Sequence, residues 1–470
     1  MTGTVLLANG GTGAATAAAA LANLGGAALA GATFTGPVNS PTVNVTGTVA
    51  AGALVANIFR GGQDVTTFSG ADMCAKINSC LATGAGVTCD ARGFTGAQGV
   101  SSPLCSANVA ASANNQTILL NGNLQWNMGA QNIYKPSTFG GFRVIGFGRA
   151  SGGLGQTPGC ALSTPVGAGT CIFSSNATAV IQLGDGTVNY SGSIGYPAIH
   201  SVIADLTLVS TSTTADAMLL ISEWEDQINS VQTWDMGGST GASFHEQGVA
   251  AYPACSWGWG TKVHDPDFAG FKRGWFADAA SSTGSCTAIM GTSDLGASQF
   301  YGGYVSTNTT NGIGIDWSGN ASTNAAFGTD FENNSICMHI QGAENMFYAR
   351  CEGGSNPITV QLDGAIGEAQ SNDLGGTYNV GSKISVINGG NPDNNSFHAL
   401  EGPVTHGPTA TRVLTLSLMC RSISSGEPVL SAAHLKAFFS NSARTSAVVL
   451  RRNSIGCINH PTTPLTFMTR

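Results

Sequence analysis

The sequence predicts an all-β chain wound as a parallel β-helix, and three observations carry that prediction. First, the chain repeats itself: Phe327-Gly-Thr-Asp330-Phe-Glu332 aligns with Phe347-Tyr-Ala-Arg350-Cys-Glu352 at an offset of 20. Second, short alternating apolar runs are separated by Asn and Gly turns, as one coil of a solenoid requires. Third, charged residues make up 9% of the 470 positions while Gly supplies 65. An ordinary domain carries about 25% charged residues and ~7% Gly. With 42% hydrophobic residues, this composition excludes charged disorder, a coiled coil and, lacking a glycine period of three, collagen.

The N-terminal segment, residues 1–60, comes first. Its first 59 residues carry no charge, so the basic start of a secretory signal is missing. The Ala-rich run 14–32 is too weakly apolar to span a membrane, and no membrane insertion is expected. The phrases Gly10-Gly-Thr-Gly-Ala14, Leu21-Ala-Asn-Leu-Gly25 and Thr33-Phe-Thr-Gly-Pro-Val38 follow one another. Thr-Gly-x-Val recurs at Thr2–Val5, Thr35–Val38 and Thr46–Val49. Such a segment buries no core within one chain. Over residues 8–50 this wording resembles the shaft segments of bacteriophage tail fibres. The resemblance implies a homotrimer, attachment to other virion tail proteins through the N-terminus, and host surface polysaccharide as partner.

Residues 61–114 change texture. Met73, Ile77 and Leu81 have helical spacing and predict a short helix. After it come Val87-Thr-Cys-Asp90-Ala-Arg92-Gly93 and, further on, Ile145-Gly-Phe-Gly-Arg149. This order resembles the start of pectate-lyase-like, right-handed parallel β-helices, in which a helix covers the first coil. Gly146 and Gly148 complete no nucleotide-binding fingerprint.

The solenoid is expected over 115–403. Ile203–Leu208 and Met218–Ile221 show its patterning, and Tyr378-Asn-Val380 continues the repeat. Phe300–Tyr304 with Ile313–Asp316 form a variant with a longer insertion. The repeat puts Phe331 over Cys351, Met338 over Ile358 and Ile340 over Val360, pointing inward and about 4.8 Å apart. Cys351 then reads as a small core residue. Residues 404–470 carry seven bases and one acid and read as a C-terminal cap or trimerisation element. The bases are scattered and the body before them is acidic, so nucleic acid is not an expected partner.

Eight of the twelve cysteines fall in loose pairs: Cys74 with Cys80, Cys89 with Cys105, Cys160 with Cys171, Cys337 with Cys351. None forms a C-x-x-C motif. Disulfides of an oxidising compartment and small buried core residues are both compatible with them.

Chemistry is expected at carboxylates, because glycoside hydrolysis uses two of them flanking the scissile bond. Glu332 and Glu352 occupy equivalent repeat positions, so mutual repulsion would raise one pKa towards general-acid range. Asp330 over Arg350 reads as a structural ion pair. Glu223-Trp224-Glu225-Asp226 is the densest acidic group, and strand alternation would put Glu223 and Glu225 on one face. Trp224, Trp234, Trp257, Trp259 and Trp275 are candidate sugar platforms, since a pyranose face stacks on indole. His245-Glu246, Lys262 and Lys272-Arg273 accompany the last three. His264, Asp265 and Asp267 are too close in sequence for good ligand geometry, so no metal or cofactor is expected.

The reading is a tail fibre or tailspike subunit that binds host polysaccharide, with its depolymerisation as an open addition. A hydrolase is favoured over a lyase, whose acidic substrates an acidic body would repel. A secreted bacterial β-helix enzyme or adhesin and a purely structural fibre are the alternatives.

Overall fold

The computed structural model describes residues 62–100, 102–150, 152, 157–161, 169–186, 200–248, 258–279, 295–307, 311–319, 321–352, 358–365, 371–378, 383–388, 395–397, 404–406, 412–422, 429–439 and 448–451. The chain divides after Ala56, and every described residue belongs to the part from Asn57 onward. The shaft-like residues 1–60 lie outside the described residues.

Strands pair in parallel from Gly62–Asp64 to Val404–His406, so the solenoid starts well before residue 115. Each coil contributes to three faces. The first face runs from Thr88–Asp90 through Thr117–Leu119 and Arg143–Ile145 to the N-terminal half of Val202–Ser210. The second runs from Gly96–Gln98 through Asn123–Asn127 and Gly169–Ser174 to the C-terminal half of that strand. The third is an 11-stranded sheet from Val109–Ala110 to Val404–His406. Where one strand is long enough to serve two faces, as in Val202–Ser210 and Gln227–Asp235, the first two faces join into a 17-stranded sheet. A three-stranded corner of Gly258–Trp259, Leu295–Gly296 and Ala321–Ser322 lies between the third face and the first.

Parallel register puts residue on residue, so the core is a set of rows rather than a cluster. One row runs Ile118, Val144, Ile203, Ile228, Val263, Phe300, Ala326, Phe347 and Leu374, each at most 1% exposed. Burying each large member is worth about 1.5–3 kcal/mol. Trp275 and Phe300 face each other across two rows, 4.1 Å apart and parallel within 1°.

Helix Met73–Leu81 begins where the Asp72 carboxylate accepts the Ala75 amide, a standard N-cap. Its Met73, Ile77 and Leu81 are buried in the same core as the first coils. In Val87–Gly93, the Arg92 guanidinium grips Asp90 at 2.6 Å, and the carboxyl is held below its usual range by that bond.

At the turn before the first face, a polar row points inward: Ser201, Asp226, Thr261, Ser298, Asn324, Asn345, Asn372 and Asn395, all buried. The amide of Asn324 donates to Asn345 Oδ1, Asn345 to Asn372 and Asn372 to Asn395, each at 2.9 Å. These bonds satisfy backbone donors that a bend would otherwise leave unpaired.

The repeat holds in part. Asp330, Phe331 and Glu332 pair with Arg350, Cys351 and Glu352 as the offset requires. A register shift between Phe327 and Asp330 breaks it upstream, so Phe327 lies beside Tyr348 and Ala326 beside Phe347. On the third face the offset is 22: Met338 pairs with Val360 and Ile340 with Leu362, not with Ile358 and Val360. Three positions separate Glu332 from Ile336 and five separate Glu352 from Ile358, and two residues is the smallest slip that keeps side chains on the same side. After the solenoid, Arg412–Ser422, Val429–Phe439 and Val448–Arg451 form an antiparallel sheet.

Four disulfides lie among the described residues. Cys74 joins Cys105 and Cys80 joins Cys89, a different pairing from the sequence-adjacent one. The helix presents Cys74 and Cys80 to different neighbours, which fixes the partners. Cys160–Cys171 and Cys337–Cys351 pair as sequence proximity suggested. Cys351 is therefore a bridge across two faces and not a simple core residue. Alkylation without reduction, read by intact mass, is expected to label at most four of the twelve cysteines. Five or more labels would break at least one assigned bridge.

Candidate functional site

The Trp259 corner forms an open cleft of about 380 Å³ lined by His200, Glu225, Gln227, Trp259, Gly260, Lys262 and Ala297. Backbone bonds fix its rim. The Trp259 amide donates to Glu223 O at 3.1 Å, the Glu225 amide donates to Trp259 O at 2.7 Å, and the His200 amide donates to Trp224 O at 3.1 Å. Lys262 follows Gln227 in register on the first face, so their side chains stand side by side. His200 Nδ1 lies 3.5 Å from Glu225 Oε2 at the mouth.

Trp259 remains 40% exposed. A Cβ on Gly296 would come within 2.8 Å of Trp259 Cζ3. The indole therefore rests against the Gly296 backbone on the adjacent strand, with its exposed part in the cleft. An apolar ring beside a carboxylate, an amide, an imidazole and an ammonium matches a sugar's apolar face and hydroxyl rim. Glu225 is the one acid among the lining residues.

Glu223 and Glu225 do not share a face. Ser222 and Glu225 adopt φ of 59° and 54°, so the segment is a turn and strand alternation does not apply. Glu223 is enclosed, with Lys135 Nζ 2.8 Å from its carboxylate and both side chains fully buried. Burial and nearby Asp226 push the Glu223 pKa up against the pull of Lys135. Asp226 is buried too, and burial raises it to about 7 although Lys135 opposes. One ammonium faces two carboxyl groups, and both are shifted upward. Removing one partner of such a pair costs about 3–5 kcal/mol. Glu223 is thus a support beneath the cleft and not a group presented to a ligand.

The other expected residues scatter. Glu332 and Glu352 are in-register neighbours and half-buried, but each has a partner. Tyr304 donates to Glu332 at 2.9 Å, while Arg350 contacts Glu352 and lies 3.1 Å from Asp330. Trp275 is buried in the core and donates to Glu246 at 2.9 Å. Trp234 packs outside the core against Ala150, Cys171, Phe173 and Val209. Trp224 is half-buried and bridges to Trp259 through its backbone. Trp257 lies outside the described residues.

His264, Asp265 and Asp267 diverge. His264 stacks on Tyr301 at 4.9 Å, Asp265 pairs with Arg149 at 3.1 Å, and Asp267 accepts from Gln232 at 2.8 Å. Among the described residues, the group of three close ligand types is Asp72, Cys74 and Cys105, and its two sulfurs are bonded to each other. The stack from His264 continues through Tyr301 and Phe327 to Tyr348, with planes within 21° of each other. The end rings of that stack, His264 and Tyr348, are exposed like Trp259, but they lie outside the cleft lining.

Composition and spacing gave no sign of a polar string on the outside of the third sheet. His245 pairs with Asp216 at 2.8 Å and stacks on Phe276, which also lies under the Arg273 guanidinium. Arg273 and His339 both hold Asp316, at 2.7 and 2.8 Å, and His339 reaches Asp363 at 3.2 Å. Burial opposes the charge on His339, but Asp316 and Asp363 together raise its pKa. Burial opposes ionisation of Asp316, yet His339, Ser318 and Arg273 lower it. Asp363 is likewise lowered, against burial, by Gln341, Asn388 and His339. No helix among the described residues is long and apolar enough to cross a membrane.

No family model matches the chain, and no curated protein matches it. Among solved structures, the Siphovirus 9NA tailspike receptor binding domain aligns over 85% of this chain and 87% of its own, at 10% identity and a TM-score of 0.24. A likeness at that level establishes neither a shared fold nor a shared function.

The His339 group gives a pH-dependent stability. The raised histidine contributes fully below about pH 6.5 and loses that contribution as pH rises through its folded value. The lowered carboxylates contribute above about pH 3.9 and lose it as pH falls through theirs. His339→Gln should therefore lower the melting temperature most between roughly pH 4 and 6.5, with a smaller deficit at higher pH. A deficit independent of pH would refute the charged histidine.

Proposed function

We propose that this chain is a subunit of a phage tail fibre or tailspike that binds host surface polysaccharide in the Trp259 cleft. The observation that carries the binding reading is the exposed indole held against Gly296 beside Glu225, Lys262 and His200. The fibre reading is supported by the shaft-like wording of residues 8–50 and by its continuation into a parallel solenoid. A homotrimer, with attachment of the N-terminus to other tail proteins, follows from the same wording. The basic C-terminal strands would then serve as cap or trimerisation element.

Binding is favoured over cleavage at this cleft because a two-carboxylate mechanism needs a second acid, and Glu223 and Asp226 lie buried beneath. Depolymerisation remains a second reading on Glu332 and Glu352, whose backbones lie in register about 4.8 Å apart. Four disulfides suit an extracellular life, which a secreted enzyme or adhesin would share.

An array of bacterial capsule and O-antigen polysaccharides provides the test. The purified chain should bind a small subset, and Trp259→Ala should weaken that binding at least about tenfold, equivalent to ~1.4 kcal/mol. Glu225→Gln should weaken it less, while Trp234→Phe, remote from the cleft, should leave it unchanged. Binding that survives Trp259→Ala intact would move the site elsewhere. Shortening of the bound polysaccharide, abolished by Glu332→Gln or Glu352→Gln, would establish the second reading.

A further inference from the structure

The inward polar row follows one rule, and Asp226 is its exception. In each asparagine rung Oδ1 accepts the amide of the preceding coil's rung. Nδ2 donates to the carbonyl three residues before that rung: Asn324 to Leu295 O at 3.0 Å, Asn345 to Ala321 O at 2.9 Å, Asn372 to Gly342 O at 3.3 Å. Asp226 obeys the first half, since Ser201 N donates to its Oδ1 at 2.6 Å. Its Oδ2 occupies the place of the donating Nδ2, is fully buried, and meets no hydrogen-bond donor among the described residues.

Besides its amide, Ser201 turns a hydroxyl toward Asp226 that favours the ionised form, but neither that Oγ nor Asp226 Oδ2 completes a hydrogen bond, and the remaining groups supply no donor. Lys135 is committed to Glu223 and to Phe139 O, 2.9 Å away. Glu223 and Glu246 face it with like charge, and Asp185 acts on Glu223 from the same side. His245 adjoins Glu246 but turns its Nδ1 to Asp216. His200 and Glu225 are at the surface. A carboxyl that keeps its proton has one O–H donor and acceptor capacity to spare, the same complement as an asparagine amide at this rung. An ionised one has four acceptor sites, no donor, and two buried carboxylates for neighbours.

We propose that Asp226 is a protonatable rung of the asparagine row: neutral, it stands in for asparagine and positions the turn that carries Glu225 and Trp259; ionised, it loosens that turn. The backbone route is short. Asp226 follows Glu225, whose amide holds Trp259 O, and Trp259 N returns to Glu223 O. The raised pKa of about 7 places the change near neutrality. The folded form keeps a proton that the unfolded or opened form gives up above about pH 3.9, so stability of the turn falls as pH rises to about 7 and levels above. A weaker grip on ligand at high pH would rest on the glycan reading above; the rung itself does not.

Hydrogen exchange of the full chain without ligand tests it. The opening constant of peptides containing Glu225 and Trp259, taken relative to Asp226→Asn, should rise about tenfold per pH unit between pH 5 and 7 and then flatten. Asp226→Asn should keep those amides protected throughout. The reciprocal Asn324→Asp should bring the same pH-dependent opening to the Ser298 amide, which donates to Asn324 Oδ1 at 3.1 Å. Parallel profiles for wild type and Asp226→Asn from pH 5 to 8 would overturn the proposal. So would amides as open in Asp226→Asn at pH 5 as in wild type at pH 8. A flat profile in folded Asn324→Asp would also overturn it. None of these outcomes bears on whether the cleft takes a sugar, and the polysaccharide array does not bear on the rung.

Discussion

Parallel hydrogen bonding from coil to coil is the constraint on which everything else in this structure depends. Each strand pairs with its counterpart one turn earlier and one turn later, so residues at equivalent positions must stack directly. Large apolar side chains can do so, and they form continuous rows such as Ile203, Ile228, Val263 and Phe300. Asparagines can do so because an amide both accepts and donates. Like charges cannot without cost, which accounts for a chain with few of them and for the partnered state of most that remain.

Where charge does enter the solenoid, it is arranged across coils. Arg350 lies against Asp330 and Glu352; His339 lies between Asp316 and Asp363; Lys135 reaches Glu223, 88 positions later in sequence. Each arrangement turns a potential repulsion along the stack into an alternation of sign. The exposed Arg350 pairs are worth little, on the order of 0–1 kcal/mol. The Lys135 pair is different, because both side chains are fully buried and neither can be removed alone. It fastens a turn with two left-handed residues, and that turn carries the acid and supports the indole of the cleft.

Much of the fold was legible in one dimension. Helical spacing of Met73, Ile77 and Leu81 identified the helix, and the register of Asp330, Phe331 and Glu332 against the next coil followed from a simple offset. The offset failed at Phe327 and at Met338, where turn length and a local shift moved the pairing by one or two residues. Such slips leave no trace in composition. Of the expected platforms, Trp259 lies in the cleft, while Trp275 and Trp234 pack inside and outside the core. An indole's role depends on whether its neighbour is Phe300 or Gly296, and those neighbours arrive from the following coil.

The amino-acid sequence by itself determined that this chain would stack: a repeat near 20 residues, Gly and Asn at its turns, apolar alternation between them, and little charge. Those are local properties, and a parallel solenoid is built from local repeats. The tertiary structure alone decided which acids meet water. Glu223 and Glu225 are two positions apart in a run of acids, yet one is sealed against Lys135 and the other stands in the cleft. The reason is physical. A left-handed residue at Ser222 and another at Glu225 abolish strand alternation, and the cation that stabilises Glu223 comes from two coils away.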